Sequence, residues 1–250
     1  MKYALLAVLA GCDLVVGFGD IAPPREGGPS DGSGCTATDP DEDSDGITDD
    51  CDPCPADPMT GSGDADHDGV DNTCDPDATG TPQKNSIIRF DGFSTDLGEY
   101  ALGGWRITGG QLSIPNFTGG ARTASSLLDV TRPSIDVRIE QLSSGSTGSV
   151  LVYVQDTNNV RIGCRLESTG SGYQMVSVIN DVAMGTQSLV DSNVRLVLRV
   201  PDDGELRCIA NTSTPLVLDT NTFVSTVHAY GVVSTDMPVT IDSLTVFDAR

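Results

Sequence analysis

The sequence predicts an all-β protein, an antiparallel β-sandwich preceded by a small, irregular segment that is rich in aspartate and cysteine. From about residue 86 onward, short apolar or alternating stretches are separated by clusters of Gly, Asn, Asp, Ser and Pro, and helical periodicity is absent. Residues 39–77 instead hold fourteen Asp and one Glu. The length of 250 residues, with 38% hydrophobic and 20% charged residues, fits one sizeable domain with an additional segment.

The start of the chain indicates export. One basic residue is followed by an apolar run that is too short to span a bilayer, and then Leu9-Ala10-Gly11-Cys12 resembles the lipobox of a bacterial lipoprotein signal. The resemblance implies a signal peptide over residues 1–11 and acylation of Cys12. Residues 12–34 then form the lipid anchor and a flexible tether rich in Gly, Pro and Asp. The alternative is a buried strand or short helix that ends in a core cysteine.

The charge of the chain narrows its partners. The net charge is −22, and no Lys or Arg occurs between Arg25 and Lys84. Nucleic acid and anionic membrane surfaces are therefore unsuitable partners, and cations are suitable ones. Charge blocks are commonly disordered acidic linkers, but the spacing of these aspartates favours a metal site.

Two loops carry that spacing, residues 41–52 and residues 64–75. Each has aspartate at positions 1, 3, 5 and 12, glycine at position 6 and an aliphatic residue at position 7. Calcium takes six to eight oxygen ligands, and alternate aspartates on a tightly turning backbone direct their carboxylates at one centre. The predicted calcium ligands are Asp41, Asp43, Asp45, Ile47 through its carbonyl, Asp49 and Asp52 in the first loop, and Asp64, Asp66, Asp68, Val70 through its carbonyl, and Asp75 in the second.

The flanking residues exclude an EF-hand, because several prolines and glycines prevent a helix on either side of each loop. The segment resembles a pair of thrombospondin type 3 repeats, in which calcium loops and disulfides replace a hydrophobic core. We assign these repeats to residues 35–85 and call them the acidic segment. The resemblance implies that Cys54 pairs with Cys74 and Cys35 with Cys51, although the sequence leaves other connectivities open. Asn72 stands where the repeats usually have Asp.

Two further expectations concern this segment. Residues 35–77 have almost no apolar surface to bury, so ion binding must supply the folding free energy, and a chelator should melt the segment while sparing the rest. Zinc bound by the four cysteines is the competing interpretation. It is disfavoured because no histidine is suitably placed among them and the aspartates suit a hard cation.

The sandwich is predicted over residues 86–250. Its clearest strands are Ser134–Leu142, Ser149–Gln155, Val160–Glu167, Tyr173–Ile179, Asn193–Val200, Glu205–Ala210, His228–Val233 and Val239–Phe247. Residues 201–204 read Pro-Asp-Asp-Gly, which predicts a turn and an antiparallel hairpin between the fifth and sixth of these. Apolar and polar residues alternate along the strands that contain Cys164 and Cys208, and both cysteines fall on the inward face. We expect them to form a disulfide that clamps neighbouring strands.

The order of features resembles a concanavalin A-like lectin/glucanase jelly roll of the laminin-G-like kind. The matching residues are Phe90-Asp91-Gly92-Phe93, Trp105 to Leu112 and the closing strand Ile241 to Val246. That resemblance implies either a glycoside hydrolase or a non-catalytic module that binds sugar or protein. Hydrolases need two carboxylates that face the sugar bond, whereas Glu99, Glu140, Glu167 and Glu205 are scattered singly.

We therefore expect a calcium-binding lipoprotein of the bacterial cell envelope, at the outer membrane or cell surface. Its sandwich acts as a non-catalytic adhesion module for a carbohydrate or protein ligand, displayed on a calcium-stiffened stalk. The alternatives are a surface glycoside hydrolase and a purely structural envelope component that has no ligand. No catalytic residue is assigned, and His228 is interpreted as structural. The candidate aromatic platforms are Trp105, Tyr153, Tyr173 and Tyr230, each of which is more often a core residue.

Overall fold

A computed structural model describes most of the chain beyond the tether. The described residues are 40–58, 63–76, 78, 85–96, 98–114, 121–142, 147–169, 172–189, 194–200, 205–211, 214–219 and 226–249. The predicted signal peptide, Cys12, the tether and Cys35 lie outside them. In this part of the chain, no helix has the length and apolar character needed to cross a membrane.

Fourteen strands form the sandwich among the described residues, and the acidic segment contains a single 3-10 turn at Asp49–Cys51. The strands are β1 (Asn85–Asp91), β2 (Arg106–Ile107), β3 (Leu112–Ile114), β4 (Ala121–Val130), β5 (Pro133–Leu142), β6 (Ser149–Asp156), β7 (Arg161–Ser168), β8 (Tyr173–Ile179), β9 (Val182–Leu189), β10 (Val194–Arg199), β11 (Glu205–Ala210), β12 (Leu216–Asp219), β13 (Val227–Thr235) and β14 (Val239–Ala249). The prediction of an all-β fold is confirmed.

The strands form two antiparallel sheets. The order in the eight-stranded sheet is β12-β11-β10-β5-β14-β3-β2, and β1 also pairs with β14. The order in the six-stranded sheet is β4-β13-β6-β7-β8-β9. Strand β14 therefore has β5 along one side and β1 and β3 along the other, with Asn85 opposite Ala249 and Ile114 opposite Val239. The first strand of the sandwich is consequently held by its last.

The core lies between the two sheets because apolar residues alternate along the strands. On β6, Val150, Val152 and Val154 are all fully buried within it. The equivalent positions of β10, Leu196 and Leu198, are buried from the opposite sheet. One face of each sheet is thus committed to packing, and only the two outer faces are available for other contacts.

Cys164 and Cys208 form a disulfide, as the sequence indicates, with 5.6 Å between their Cα atoms. The expectation that it clamps neighbouring strands is wrong, because Cys164 lies on β7 of the six-stranded sheet and Cys208 on β11 of the eight-stranded sheet. Both side chains face the core, and it is across the core that the two sheets meet. The bond therefore fastens one layer of the sandwich to the other.

Candidate functional site

The two predicted calcium loops have the same backbone conformation. Position 4 has a positive φ in both, 63° at Ser44 and 62° at His67, and the glycine at position 6 follows at 96° and 98°. Left-handed backbone at position 6 favours glycine. The amide of Gly46 donates to Asp41 Oδ2 over 3.1 Å, and that of Gly69 donates to Asp64 Oδ2 over 2.9 Å. In each loop the chain therefore turns around the carboxylate at position 1.

Position 5 is used in the same way in both loops. Asp45 Oδ1 accepts the amide of Ile47 over 2.8 Å, and Asp68 Oδ1 accepts the amide of Val70 over 2.9 Å. The two aliphatic residues at position 7 differ in burial, because Val70 is 2% exposed whereas Ile47 is only partly buried. The two loops are thus alike in backbone and unlike in packing.

Position 9 shows why Asn72 is compatible with the pattern. Asp49 Oδ1 accepts the amide of Glu42 over 3.0 Å, and Asn72 Oδ1 accepts the amide of Ala65 over 3.0 Å. An amide oxygen and a carboxylate oxygen accept this bond equally well. The departure from the repeat pattern at Asn72 therefore leaves the loop conformation unchanged and removes one negative charge.

The carboxylates at positions 1, 3 and 5 converge in both loops. One oxygen from each lies within 4.8 Å of the others in the sets Asp41, Asp43, Asp45 and Asp64, Asp66, Asp68. Several buried oxygens in the loops accept no hydrogen bond, among them Asp41 Oδ1, Asp43 Oδ2, Asp52 Oδ2 and both oxygens of Asp66. Buried acceptors without a partner are costly, and a cation at the centre of each loop would satisfy them.

The aspartates at position 12 lie outside these two convergent sets of carboxylates. Asp52 and Asp75 are buried, at 5% and 8% exposure. Within the described residues, the convergent sets contain positions 1, 3 and 5 alone, and neither Asp52, Asp75 nor Asp49 belongs to them. The aspartates at position 12 make other bonds. Asp52 Oδ1 accepts the amide of Cys54 over 2.7 Å, and Asp75 Oδ1 accepts the side-chain amide of Asn85 over 2.6 Å.

The electrostatics of the first loop favour neutralisation. Burial, together with the neighbouring carboxylates of Glu42, Asp41 and Asp43, raises the pKa of Asp49 to about 6, although the bond from the amide of Glu42 lowers it. Burial likewise raises the pKa of Asp52 to about 6. These carboxylates ionise reluctantly beside one another, so a divalent cation would compete with protons for them.

The second loop is balanced differently. Burial raises the pKa of Asp64, but the amides of Gly69, Asp68 and His67 outweigh that effect, and the net shift is downward. Burial and the charge of Asp68 raise the pKa of Asp66. The carboxylate at position 1 is thus already stabilised in its charged form by the loop backbone.

The disulfides of the acidic segment fit the resemblance where they are described. Cys54 pairs with Cys74, with Cα atoms 5.5 Å apart, so the bond joins the two loops. Cys51 is also disulfide-bonded, and its expected partner Cys35 lies outside the described residues. Asp57 approaches the sulfurs of Cys54 and Cys74, but disulfide sulfurs are not thiolates. This pair therefore cannot bind zinc as thiolates.

The acidic segment packs on the outer face of the eight-stranded sheet, where arginines donate hydrogen bonds to it. Arg138 on β5 donates to Asp57 Oδ1 over 2.7 Å and to the carbonyl of Ala56 over 2.8 Å. On β10, Arg195 donates to the carbonyls of Thr73 and Cys74 over 2.9 and 3.1 Å. The segment therefore lies against the sandwich, which the expectation of a projecting stalk did not include.

An apolar contact accompanies these bonds. Val70, Cys54 and Cys74 form a buried cluster with Phe247 of β14, and Ile87 of β1 packs against it. The expectation that the acidic segment buries almost no apolar surface is therefore wrong for the second loop. A signal was present in the sequence, since Phe247 alternates with the core residue Val246 and must face outward from the sheet.

The outer face of the six-stranded sheet carries a different arrangement. Tyr153 of β6 lies between two glycines in register, Gly231 on β13 and Gly163 on β7. A Cβ atom at Gly231 would come within 2.9 Å of the Tyr153 hydroxyl, so a side chain there would displace the ring. The guanidinium of Arg161 lies over the ring of Tyr153, 4.4 Å from its centroid. Sequence reasoning missed Arg161.

Apolar and polar side chains surround Tyr153 and Arg161 on the outer face of the six-stranded sheet. Tyr153 forms a buried cluster with Leu151, Val176, Val178 and Val233 on the same outer face. Polar side chains lie on the same face, where Glu167 pairs with Arg165 over 2.6 Å and accepts a bond from the side-chain amide of Gln174 over 2.7 Å. We call the surface formed by Tyr153, Arg161, Arg165, Glu167 and Gln174 the ligand face.

The other predicted platforms belong to the core. Trp105 is 3% exposed and donates its indole N–H to the carbonyl of Arg122 over 3.1 Å. Tyr173 is buried and donates its hydroxyl to the carbonyl of Leu142 over 3.1 Å, and Tyr230 is fully buried. Of the four aromatic candidates, Tyr153 is the one on an outer face, but at 3% exposure beneath Arg161 its ring is not an open platform.

The four single glutamates lie on different elements and have different partners. Glu99 pairs with the buried Arg89 of β1, Glu140 of β5 accepts from Gln111, and Glu205 of β11 pairs with Arg207. Glu167 is the member of this set on the ligand face. These placements give the four glutamates no shared site. His228 is exposed on β13.

No protein-family model matches the sequence, and no curated protein matches it. Solved structures match the sandwich. The CBM2 module of the evolved Dit of Lactobacillus casei BL23 phage J-1 is 10% identical, with a TM-score of 0.54 over 67% of this chain and 97% of that one. The laminarinase from Rhodothermus marinus is 11% identical, with a TM-score of 0.53 over 68% of this chain and 99% of that one.

The carbohydrate recognition domain of Emp46p is also similar, with 10% identity and a TM-score of 0.50 over 64% of this chain and 98% of that one. Identities this low establish the fold and nothing more. The sandwich has the concanavalin A-like jelly-roll fold. Proteins named for binding and proteins named for hydrolysis share that fold, so the fold does not determine the activity.

Proposed function

We propose that the protein is an exported, calcium-binding cell-surface lipoprotein whose sandwich binds carbohydrate without cleaving it. The observation that carries the calcium part is the repeated loop geometry, in which carboxylates at positions 1, 3 and 5 converge twice within one segment. The donors are all oxygens, which suits calcium better than zinc or copper. The resemblance of these loops to thrombospondin type 3 repeats supports the same conclusion.

Several residues would hold the ions and others would support them. Positions 1, 3 and 5 of each loop would supply carboxylates, and the carbonyl oxygens of Ile47 and Val70 would add to them. Asp49 in the first loop and the aspartates at position 12, Asp52 and Asp75, would complete the ligand set. The backbone amides that now bond these carboxylates hold them in a turned conformation before an ion arrives. The ion itself would supply the charge that offsets their mutual repulsion.

Calorimetric titration of the full chain with calcium tests this part. We expect two ions per chain, with Asp45→Ala and Asp68→Ala each removing one. Asp50→Ala is the matched control, because Asp50 is an exposed aspartate in the first loop and lies outside the predicted ligand set. Uptake that is absent in the unsubstituted chain, or unchanged in both variants, would refute calcium binding.

The carbohydrate part rests on the ligand face. Sugar-binding sites place a few polar side chains where they can reach hydroxyl groups, and Arg161, Arg165 and Gln174 supply these on adjacent strands. Tyr153 is 3% exposed beneath Arg161 and supports that side chain. The outer face of the opposite sheet is occupied by the acidic segment, so the six-stranded sheet offers the other broad surface. Glycan-recognition and glycanase domains of this fold support carbohydrate as the ligand class.

A glycan array probed with the full chain, followed by a reducing-sugar assay on each bound polysaccharide, tests the carbohydrate part. We expect binding without release of product, and at least tenfold weaker binding for Arg165→Gln. The matched control is Arg207→Gln, which removes an equivalent ion pair from the other sheet. Product release that disappears in Glu167→Gln would establish the alternative, a surface glycoside hydrolase with Glu167 as one of its carboxylates.

Export and anchoring are proposed from the sequence at the start of the chain. Acylation at Cys12 would leave the sandwich tethered to the cell envelope, at the outer membrane or cell surface, by residues 12–34. Metabolic labelling with a fatty acid tests this proposal. We expect the label in the full chain and none in Cys12→Ser.

A further inference from the structure

Asn85 connects the second loop to the sandwich. It is the first residue of β1, and its backbone amide donates to Asp68 Oδ2 over 2.5 Å. Its side-chain amide donates to Asp75 Oδ1 over 2.6 Å. One residue therefore bonds the carboxylates at positions 5 and 12 of the same loop, from outside the loop.

The environment of Asn85 makes these bonds consequential. The residue is 1% exposed, and its side-chain oxygen is buried without a hydrogen-bond partner. The bond from this amide helps to orient the carboxylate of Asp75, and the loss of a bond to a buried acceptor is costly. Asn85 also lies opposite Ala249, at the point where β1 joins the closing strand β14.

The first loop is built differently at the corresponding positions. Asp45 Oδ1 accepts the amide of Ile47, and Asp52 Oδ1 accepts the amide of Cys54, both within the acidic segment. The two loops therefore share a ligand pattern, while the second adds bonds from a strand of the sandwich. A substitution at Asn85 should consequently separate the two sites.

We infer that Asn85 is a positioning residue for the second calcium site. Because the same residue begins the pairing of β1 with β14, it links ion binding at this site to that strand pairing. The inference rests on the calcium binding proposed above. Side chains that orient metal ligands commonly contribute 10–100-fold to metal affinity. The amide of Asn85 holds the carboxylate of Asp75 and the backbone holds that of Asp68, so the ion meets two fixed ligands.

The test compares Asn85→Ala in two versions of the full chain. With Asp45→Ala, only the second site remains, and we expect Asn85→Ala to weaken calcium binding about 10–100-fold. With Asp68→Ala, only the first site remains, and we expect Asn85→Ala to leave the affinity unchanged. Ser86→Ala, the next residue on β1, is the matched control and should change neither affinity.

A general loss of stability would weaken both sites equally, and that result would overturn the inference, as would an unchanged affinity at both. Asn85→Ser provides a second variant that retains a hydroxyl donor, and we expect it to weaken the second site less than Asn85→Ala does. A serine variant that binds calcium at the second site as weakly as the alanine variant does would also count against a positioning role. If the unsubstituted chain binds no calcium, the proposed function fails, and this inference with it.

Discussion

The two predicted calcium loops differ in the contacts that hold them, although their backbones match. Val70 of the second loop is buried against Phe247 and Ile87, whereas Ile47 at the same position of the first loop is only partly buried. The second loop is also bonded to β1 through Asn85. An ion therefore has more to organise in the first loop than in the second, where packing has already fixed part of the structure.

Calcium removal should break the similarity between the loops. A chelator leaves the carboxylates to repel one another. The free energy of unfolding then falls by about 4 kcal/mol if the free ion had been at a thousandfold excess over its Kd. We expect the amides of Gly46 and Ile47 to exchange freely with deuterium after chelation. Those of Gly69 and Val70 should keep partial protection, and Val152 in the core should be unaffected.

Amide exchange followed by mass spectrometry, with and without the chelator, resolves these segments. Equal loss in both loops would show that the contacts of Val70 and Asn85 do not stabilise the second loop. Unchanged exchange in both would contradict the requirement for an ion.

Phe247→Ala should remove the packing advantage of the second loop. The side chain is 1% exposed and fills the space beside Val70, and truncation of a buried phenylalanine costs about 3 kcal/mol. We expect the calcium-free second loop of this variant to exchange as fast as the first. Val217→Ala is the control, because Val217 is an exposed apolar residue of the same sheet. Retained protection in Phe247→Ala would assign the difference between the loops to other contacts.

The fold was largely predictable because alternation is a local signal. The predicted strands Tyr173–Ile179 and Glu205–Ala210 coincide with β8 and β11, and the hairpin of β10 with β11 is confirmed by the pairing of Arg199 with Arg207. Strands such as β9 were missed, since Val182–Leu189 has mixed composition and most of its residues are exposed. Edge strands bury too little apolar surface to carry a clear pattern.

The arrangement of the two parts could not be predicted in the same way. Ligand spacing within 41–52 and 64–75 is a property of consecutive residues, and the sequence displays it directly. The bonds from Arg138 and Arg195 to the acidic segment join residues more than eighty positions apart. The residues next to Arg138 and Arg195 in the sequence give no indication of these distant partners. The partner strand of Cys208 was misplaced for the same reason, since facing the core does not specify which sheet supplies the other cysteine.

The smallest expected difference between the loops is in their response to pH, and it arises at position 9. Burial and neighbouring carboxylates raise the pKa of Asp49 to about 6, while Asn72 carries no proton at the corresponding position. Below pH 6 the ion-free first loop holds a proton on Asp49 that calcium must displace. Each such proton lowers the calcium affinity by about tenfold per pH unit below the pKa.

The first loop should therefore release calcium more steeply than the second between about pH 7 and about pH 5. Without calcium the sign reverses: a raised carboxyl pKa favours the folded loop at low pH, and this contribution is lost as pH rises through about 6. Asp49→Asn should flatten the pH dependence of the first site toward that of the second, measured by titration in the Asp68→Ala chain. An unchanged slope would place the linked proton on Asp52 instead, whose pKa burial also raises to about 6.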